Sequence, residues 1–309
     1  MKILLVADRP GWAYDTLAHS IKKHSSYSSI DIQYISQLRL VLDSADFSQY
    51  DVVFFFLWYD AMRYGVKIKG FDFNKTCVGI HSISSWENRG YDEKQTSLIC
   101  NQFAACGFIS QEINQLLDLD YGFYTPNGVE KDIFFPSEYP CIDQDLRFMW
   151  VGNPGRGHHG ENKAFFHLVK PVINEYIDRG ITLHTATLED KIPHDQMGQF
   201  YRDNHVLICA SLREGGPLPI IESLACGRPV ITTKVGIVPE VVEDGENGFL
   251  FSRSKSELRK IINLVLEDSS KLSLMARNCV NSVSDRFADA MATSYDNMFH
   301  FIGKQRSNA

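Results

Sequence analysis

Short, unbroken apolar runs, each followed by an amphipathic stretch, recur along this chain and limit its fold more than any other feature. Residues 2–6, 51–57 and 76–80 form three such runs and 107–109 a shorter one, while 31–35, which alternates, reads as a further strand. A run that does not alternate apolar with polar residues suits a parallel strand covered on both faces. Residues 14–24, 93–103 and 111–117 read as helices between them. This alternation predicts an α/β unit on a parallel sheet. It stops over 130–145, where Pro136, Pro140 and several acids leave little periodicity, as in a linker between domains.

The alternation restarts with a strand at 147–151 and a loop carrying Gly152, Gly155, Gly157 and Gly160. A helix over 162–179 comes next, with Gly180 as its C-cap. Strands at 182–186, 206–210 and 230–233 alternate with helices at 196–202 and 219–226. The second of these helices has a proline near its start and Gly227 just past its end. Helices over 256–267, 271–282 and 288–302 complete the pattern. A chain of 309 residues supports two cores. The expected fold is α/β with two Rossmann-like domains, 1–136 and 147–286, joined by a linker at 137–146. The helix 287–309 is expected to cross back to the first domain.

Composition narrows the function. The net charge of −7 argues against a nucleic-acid partner. The 7 cysteines include no CxxC pair and read as reduced thiols packed as small hydrophobes. The first apolar run is too short for a signal peptide, and 52–59 falls far short of the ~20 residues of a membrane span. The expectation is a cytoplasmic protein, with peripheral contact at the inner face of a membrane left open.

The segment 211–230 carries the chemistry. It reads as the end of a strand, a tight glycine turn and a helix start. Glycines let backbone approach a ligand closely, and a first helical turn offers unpaired N–H groups to phosphate. Glu214 lies in the turn and Glu222 about one helical turn inside the helix. Carboxylates beside an anion site are poor phosphate ligands, but they accept hydrogen bonds from sugar hydroxyls well.

Glu214 and Glu222 form a Glu-x7-Glu pair. With Gly215-Gly216-Pro217 and 226–230 (Cys-Gly-Arg-Pro-Val), it resembles the signature of the retaining GT-B glycosyltransferases of family 4, the glycosyl transferases of group 1. Segments 125–136, 148–153 and 238–251 resemble that family's other landmarks in order; the first domain resembles it only in its α/β pattern. The resemblance implies two domains facing across a cleft and transfer of a sugar, with retention, from a UDP-, GDP- or ADP-sugar to a glycan or lipid-linked acceptor. It also implies that no metal or other cofactor is needed, and a setting in surface polysaccharide or glycoconjugate biosynthesis.

The resemblance assigns roles residue by residue. Glu214 contacts hydroxyls of the donor sugar. Gly215, Gly216 and Leu218 present backbone N–H groups, and Pro217, which has none, pre-sets the helix start. Glu222 holds the ribose hydroxyls. Lys163 and Arg156 hold the diphosphate, although Asn153 and Ala164 stand where the family has arginine and glycine; His158 and His159 are additional candidates. His81, at the end of a strand, can bond a sugar hydroxyl or the leaving phosphate. Arg9, Gly11 and Trp12 are acceptor candidates, Trp12 by stacking on a sugar face, and 84–87 is a weaker one. The Asp118-Leu119-Asp120 triplet reads as a surface loop rather than a metal motif. Two rivals stand beside transfer: a non-catalytic nucleotide-sugar binder or partner subunit, and a nucleotide-sugar epimerase of the same fold.

Overall fold

In the computed structural model, which describes residues 1–142, 145–155 and 158–307, the chain divides into two units. One is Met1–Gly128 with Ala288–Ala309, the other Val129–Phe287.

The first unit holds six parallel strands: β1 (Ile3–Ala7), β2 (Ile30–Tyr34), β3 (Val52–Phe55), β4 (Thr76–Ile80), β5 (Ala105–Phe108) and β6 (Gly122–Tyr124). Their order is β2-β1-β3-β4-β5-β6. The unbroken apolar runs are explained by two cores. Ile3, Leu5, Val52 and Phe54 enter one, and Leu4, Val6, Val53 and Phe55 enter the other. Successive side chains of a strand point to opposite faces, so both faces demand apolar residues. Helices Ala13–His24 and Ala288–Ser307 cover the first face, and the latter contributes Met291, Tyr295, Met298, Phe299 and Ile302. Tyr295 meets Phe54 edge-on at 5.2 Å. The hydroxyls of Ser25 and Ser26 donate to the Asp296 carboxylate at 2.5 and 2.7 Å, which ties the end of the first helix to the last.

The second unit holds β7 (Leu146–Val151), β8 (Ile181–Ala186), β9 (Val206–Cys209), β10 (Val230–Thr232) and β11 (Gly248–Leu250), all parallel, in the order β11-β10-β9-β7-β8. Residues 137–139, within the stretch read as a linker, are bound to this unit. The fully buried Arg228 donates to Ser137 Oγ at 2.9 Å, the Glu138 carbonyl at 3.2 Å and the Arg202 carbonyl at 2.8 Å. A buried guanidinium needs several acceptors, and this segment supplies two of them.

The single helix expected over 162–179 is broken. The helix His158–Lys163 ends at Ala164, whose φ of 56° is left-handed. A wide π turn then spans Phe165–Val169, in which Leu168 and Val169 both donate to the Ala164 carbonyl at 3.0 Å. An α-helix resumes over Lys170–Asn174 with Pro171 in its first turn, where its missing N–H costs nothing. Gly180 closes the segment in the left-handed conformation at φ 79°, as expected of its C-cap position.

Both sheets reverse direction once. The chain runs from β1 outward to β2 and then back to β3, and from β7 outward to β8 and then back to β9. Open parallel sheets bind ligands beyond the carboxyl ends of the strands at such reversals. Each unit therefore has one favoured crevice.

Candidate functional site

In the second unit the crevice lies beyond β7 and β9, and the segment after β9 is the one that holds Glu214. Lys163 Nζ donates to Glu214 Oε1 at 2.5 Å. Both side chains are largely covered, at 24% and 18% exposed. Burial works against the charge on Lys163, but the adjacent carboxylate outweighs it and holds the ammonium above its ordinary value. The glycine turn is backed by a second loop. Gly236, at φ 53°, lies so close that a Cβ there would come within 2.0 Å of the Gly215 carbonyl oxygen, and the next N–H, of Ile237, donates to that oxygen at 3.0 Å. Only glycine combines this φ with this approach.

The helix Leu218–Ala225 begins at the turn. Pro217 and Pro219 carry no N–H, and Ile220 donates to the Pro217 carbonyl at 3.0 Å. The first turn thus keeps the N–H of Leu218 as its donor toward an anion, fewer than a helix start ordinarily offers. Glu222, on the same helix, is 8% exposed, and Tyr201 Oη donates to its Oε2 at 2.6 Å. Burial pushes the Glu222 carboxyl up to about 7, with the Tyr201 hydrogen bond pulling the other way. Oε1 makes no hydrogen bond among the described residues. Arg156 lies outside the described residues, as do the side chains of His158 and His159.

In the first unit the crevice lies beyond β1 and β3. His81, just past β4, is 7% exposed, and its ring packs on Tyr14 at 4.9 Å and Phe56 at 5.9 Å. Burial holds it down to about 3, so the ring is neutral at neutral pH and can give or take a hydrogen bond but brings no charge to a phosphate. Its Nε2 is buried without a partner and folds back over Gly79, where a Cβ would come within 2.5 Å of it. Arg9 stacks on Trp12 with its guanidinium 3.4 Å from the ring centroid, so one face of the indole is already covered. Gly11, at φ 75°, donates its N–H to Asp15 Oδ2 at 2.7 Å and closes this loop onto the first helix. In the weaker candidate segment, now the short helix Ser84–Glu87, Trp86 is fully buried in the core and cannot face an acceptor.

Sequence reasoning missed four polar groups. Asp60, on the helix Trp58–Arg63 after β3, is driven up to about 6 by burial, with Arg89 lowering and Asp8 raising it. Asp8, just after β1, keeps a buried Oδ1 without a partner. These two acids stand at the β1/β3 reversal. Asn162 bonds the backbone on both sides of Arg213, and Tyr201 partners Glu222. The one available signal was position: Asp8 directly succeeds a strand, and Asn162 directly precedes Lys163.

Residues 184–281 match the family described as Glycosyl transferases group 1. About a third of the chain is thus similar to this family. The match holds β9, the Glu214 turn, the helix with Glu222 and β10. Among curated relatives, a D-inositol 3-phosphate glycosyltransferase of Acidothermus cellulolyticus is 31% identical over 38% of this chain and 24% of its own length. The alpha-monoglucosyldiacylglycerol synthase of Acholeplasma laidlawii is 23% identical over 42% of this chain and 32% of its own. The chain thus spans about a quarter to a third of the length of these relatives. Two solved structures share the fold over 100% of both chains: sucrose-phosphate synthase from Thermosynechococcus elongatus, at TM-score 0.70 and 14% identity, and Anabaena Alr3699/HepE in complex with UDP-glucose, at 0.64 and 18%. No helix among the described residues is long and apolar enough to cross a membrane.

Proposed function

We propose that the chain is a retaining glycosyltransferase that takes its sugar from a nucleoside diphosphate sugar. One observation carries this reading: the Lys163–Glu214 pair at the crevice beyond β7 and β9, with Glu222 on the helix that starts there. A donor of this class presents sugar hydroxyls, then a diphosphate, then ribose hydroxyls. Glu214 accepts from the sugar, Lys163 meets the diphosphate, and Glu222 Oε1 accepts from the ribose. An ammonium has three N–H donors, so Lys163 can keep Glu214 and still bind phosphate oxygens. As the bond to the sugar breaks, charge develops on the leaving diphosphate, and Lys163, Arg156 and the Leu218 N–H stabilise it. His81 acts as a neutral hydrogen-bonding group. Arg9, Gly11 and Trp12 serve the acceptor, a glycan or lipid-linked molecule.

UDP is the favoured nucleotide, since the similar HepE structure is a complex with UDP-glucose. The test is calorimetric binding of UDP, GDP and ADP to the wild type and to Lys163→Ala. One nucleotide should bind, and the variant should lose at least tenfold in affinity. Failure of all three to bind would overturn the reading. Binding with no release of nucleoside diphosphate from any common sugar donor would leave the non-catalytic binder as the answer.

A further inference from the structure

We propose that Asn162 is a positioning residue whose side-chain amide sets Glu214 against Lys163, so that the pair meets the donor in one geometry. The inference rests on the function proposed above. Asn162 Oδ1 accepts from the Arg213 N–H at 2.8 Å, and its Nδ2 donates to the Arg213 carbonyl at 3.0 Å. The Leu212 N–H donates to the Asn162 carbonyl at 2.9 Å. One step further along both segments, Lys163 meets Glu214 at 2.5 Å. Two consecutive residues thus face two consecutive residues: the first pair is locked through backbone, and the second carries the charges.

The lock matters because the loop just beyond Glu214 is intrinsically loose. Gly215 and Gly216 have no side chains to stiffen it, and glycine is the freest residue in the chain. Both polar backbone groups of Arg213 are bound from outside the loop, so the peptide planes on either side of it are held. The Cα of Glu214 is therefore placed by its neighbour segment. The geometry also selects the residue type. A side-chain amide carries a donor and an acceptor side by side, whereas aspartate only accepts and leucine does neither. Arg253 secures the other side of the joint. Its Nε donates to the Ala210 carbonyl at 2.9 Å, and its Nη2 reaches the Glu161 and Asn162 carbonyls, the latter at 3.3 Å. One guanidinium thereby joins the end of the helix His158–Lys163 to the start of the loop.

The test compares Asn162→Ala and Asn162→Asp with Lys163→Ala and Glu214→Gln, using UDP-glucose turnover, UDP binding and hydrogen exchange at the Arg213 amide. Displacing a reacting group by about 1 Å costs on the order of a hundredfold in rate. Asn162→Ala is expected to lower kcat by roughly 10- to 100-fold while the Kd for UDP moves less than about threefold. The Arg213 amide should exchange at least about tenfold faster in it. In a Glu214→Gln background the same change should add less than about twofold, because the two residues act as one unit. Full multiplication of the two effects, or a lower melting temperature with kcat retained, overturns the proposal. So does unchanged exchange at Arg213, whatever the turnover. If Glu214→Gln and Lys163→Ala themselves leave turnover and binding intact, it is the proposed function that falls, and the exchange measurement still decides the anchoring.

Discussion

Replacing Glu222 by glutamine should stabilise the second unit, and only above a certain pH. The carboxyl is 8% exposed and pushed from its ordinary 4.5 to about 7 by burial. A carboxyl raised in the folded state favours folding when protonated. That contribution is lost as pH rises from the unfolded value of 4.5 through about 7. At ~1.4 kcal/mol per pH unit, the gap corresponds to ~3 kcal/mol of destabilisation at pH 8. Glutamine is neutral throughout and can still accept from Tyr201 Oη. At pH 8 Glu222→Gln should therefore melt roughly 6–12 °C higher, at ~2–4 °C per kcal/mol for a unit of this size. At pH 5 most of the difference should be gone, since the wild-type carboxyl then holds its proton. Scanning calorimetry at both pH values decides it. An equal gain at pH 5 and 8, or no gain at pH 8, refutes the argument that a buried charge is being carried. The same variant should lose nucleoside diphosphate affinity, which would explain why the less stable residue is kept.

Gly79→Ala places a methyl group 2.5 Å from His81 Nε2 and 2.7 Å from the Phe56 carbonyl oxygen. It should cost ~1–3 kcal/mol in urea unfolding and shift the His81 ring resonances; an unmoved ring would refute the assigned packing. At Ala164, relief of ~1–2 kcal/mol of left-handed strain in Ala164→Gly is offset by ~0.8 kcal/mol of lost methyl burial and ~0.5–1 kcal/mol of glycine freedom. The glycine variant should be neutral within ~1 kcal/mol, whereas Ala164→Val should lose ~2 kcal/mol or more, and equal stability of the two would contradict the observed φ. Carbon-detected NMR should find Asp60 titrating near 6, higher in Arg89→Ala and lower in Asp8→Asn, because the guanidinium lowers it and the neighbouring acid raises it. A reversal of either sign would mean that the charges lie elsewhere.

The two parallel sheets were legible because their strands face apolar layers on both sides, which writes unbroken runs such as 2–6 and 52–55 into the chain. Gly180 and Gly227 were legible as helix ends because a left-handed turn selects glycine, and both sit at positive φ. The segment 162–179 misled because its apolar periodicity survives across Ala164, a residue that ordinarily gives no sign of left-handed backbone; Pro171 was the available warning. Of the candidate site, Glu214, Glu222 and Lys163 stood out by motif. Their partners did not, since Tyr201 reaches Glu222 across 21 positions and Asn162 reaches Arg213 across 51. Trp86, within the weaker acceptor candidate 84–87, has polar serine and glutamate neighbours, yet one turn of helix turns it into the core.

The helix Ala288–Ser307 closes a core that begins at Ile3. The five large side chains it places in this core are worth on the order of 10 kcal/mol, as much as a whole domain's net stability. On the ribosome this face of the first sheet emerges early and waits uncovered while Val129–Phe287 is made. At ~5–20 residues per second that wait lasts roughly 8–32 s. The second unit, one continuous stretch, can finish folding during it. Maturation then runs opposite to synthesis: the half made first is completed last, and a ribosome that stalls near residue 287 releases a finished second unit attached to an unfinished partner with Phe54 and Phe56 open to chaperones.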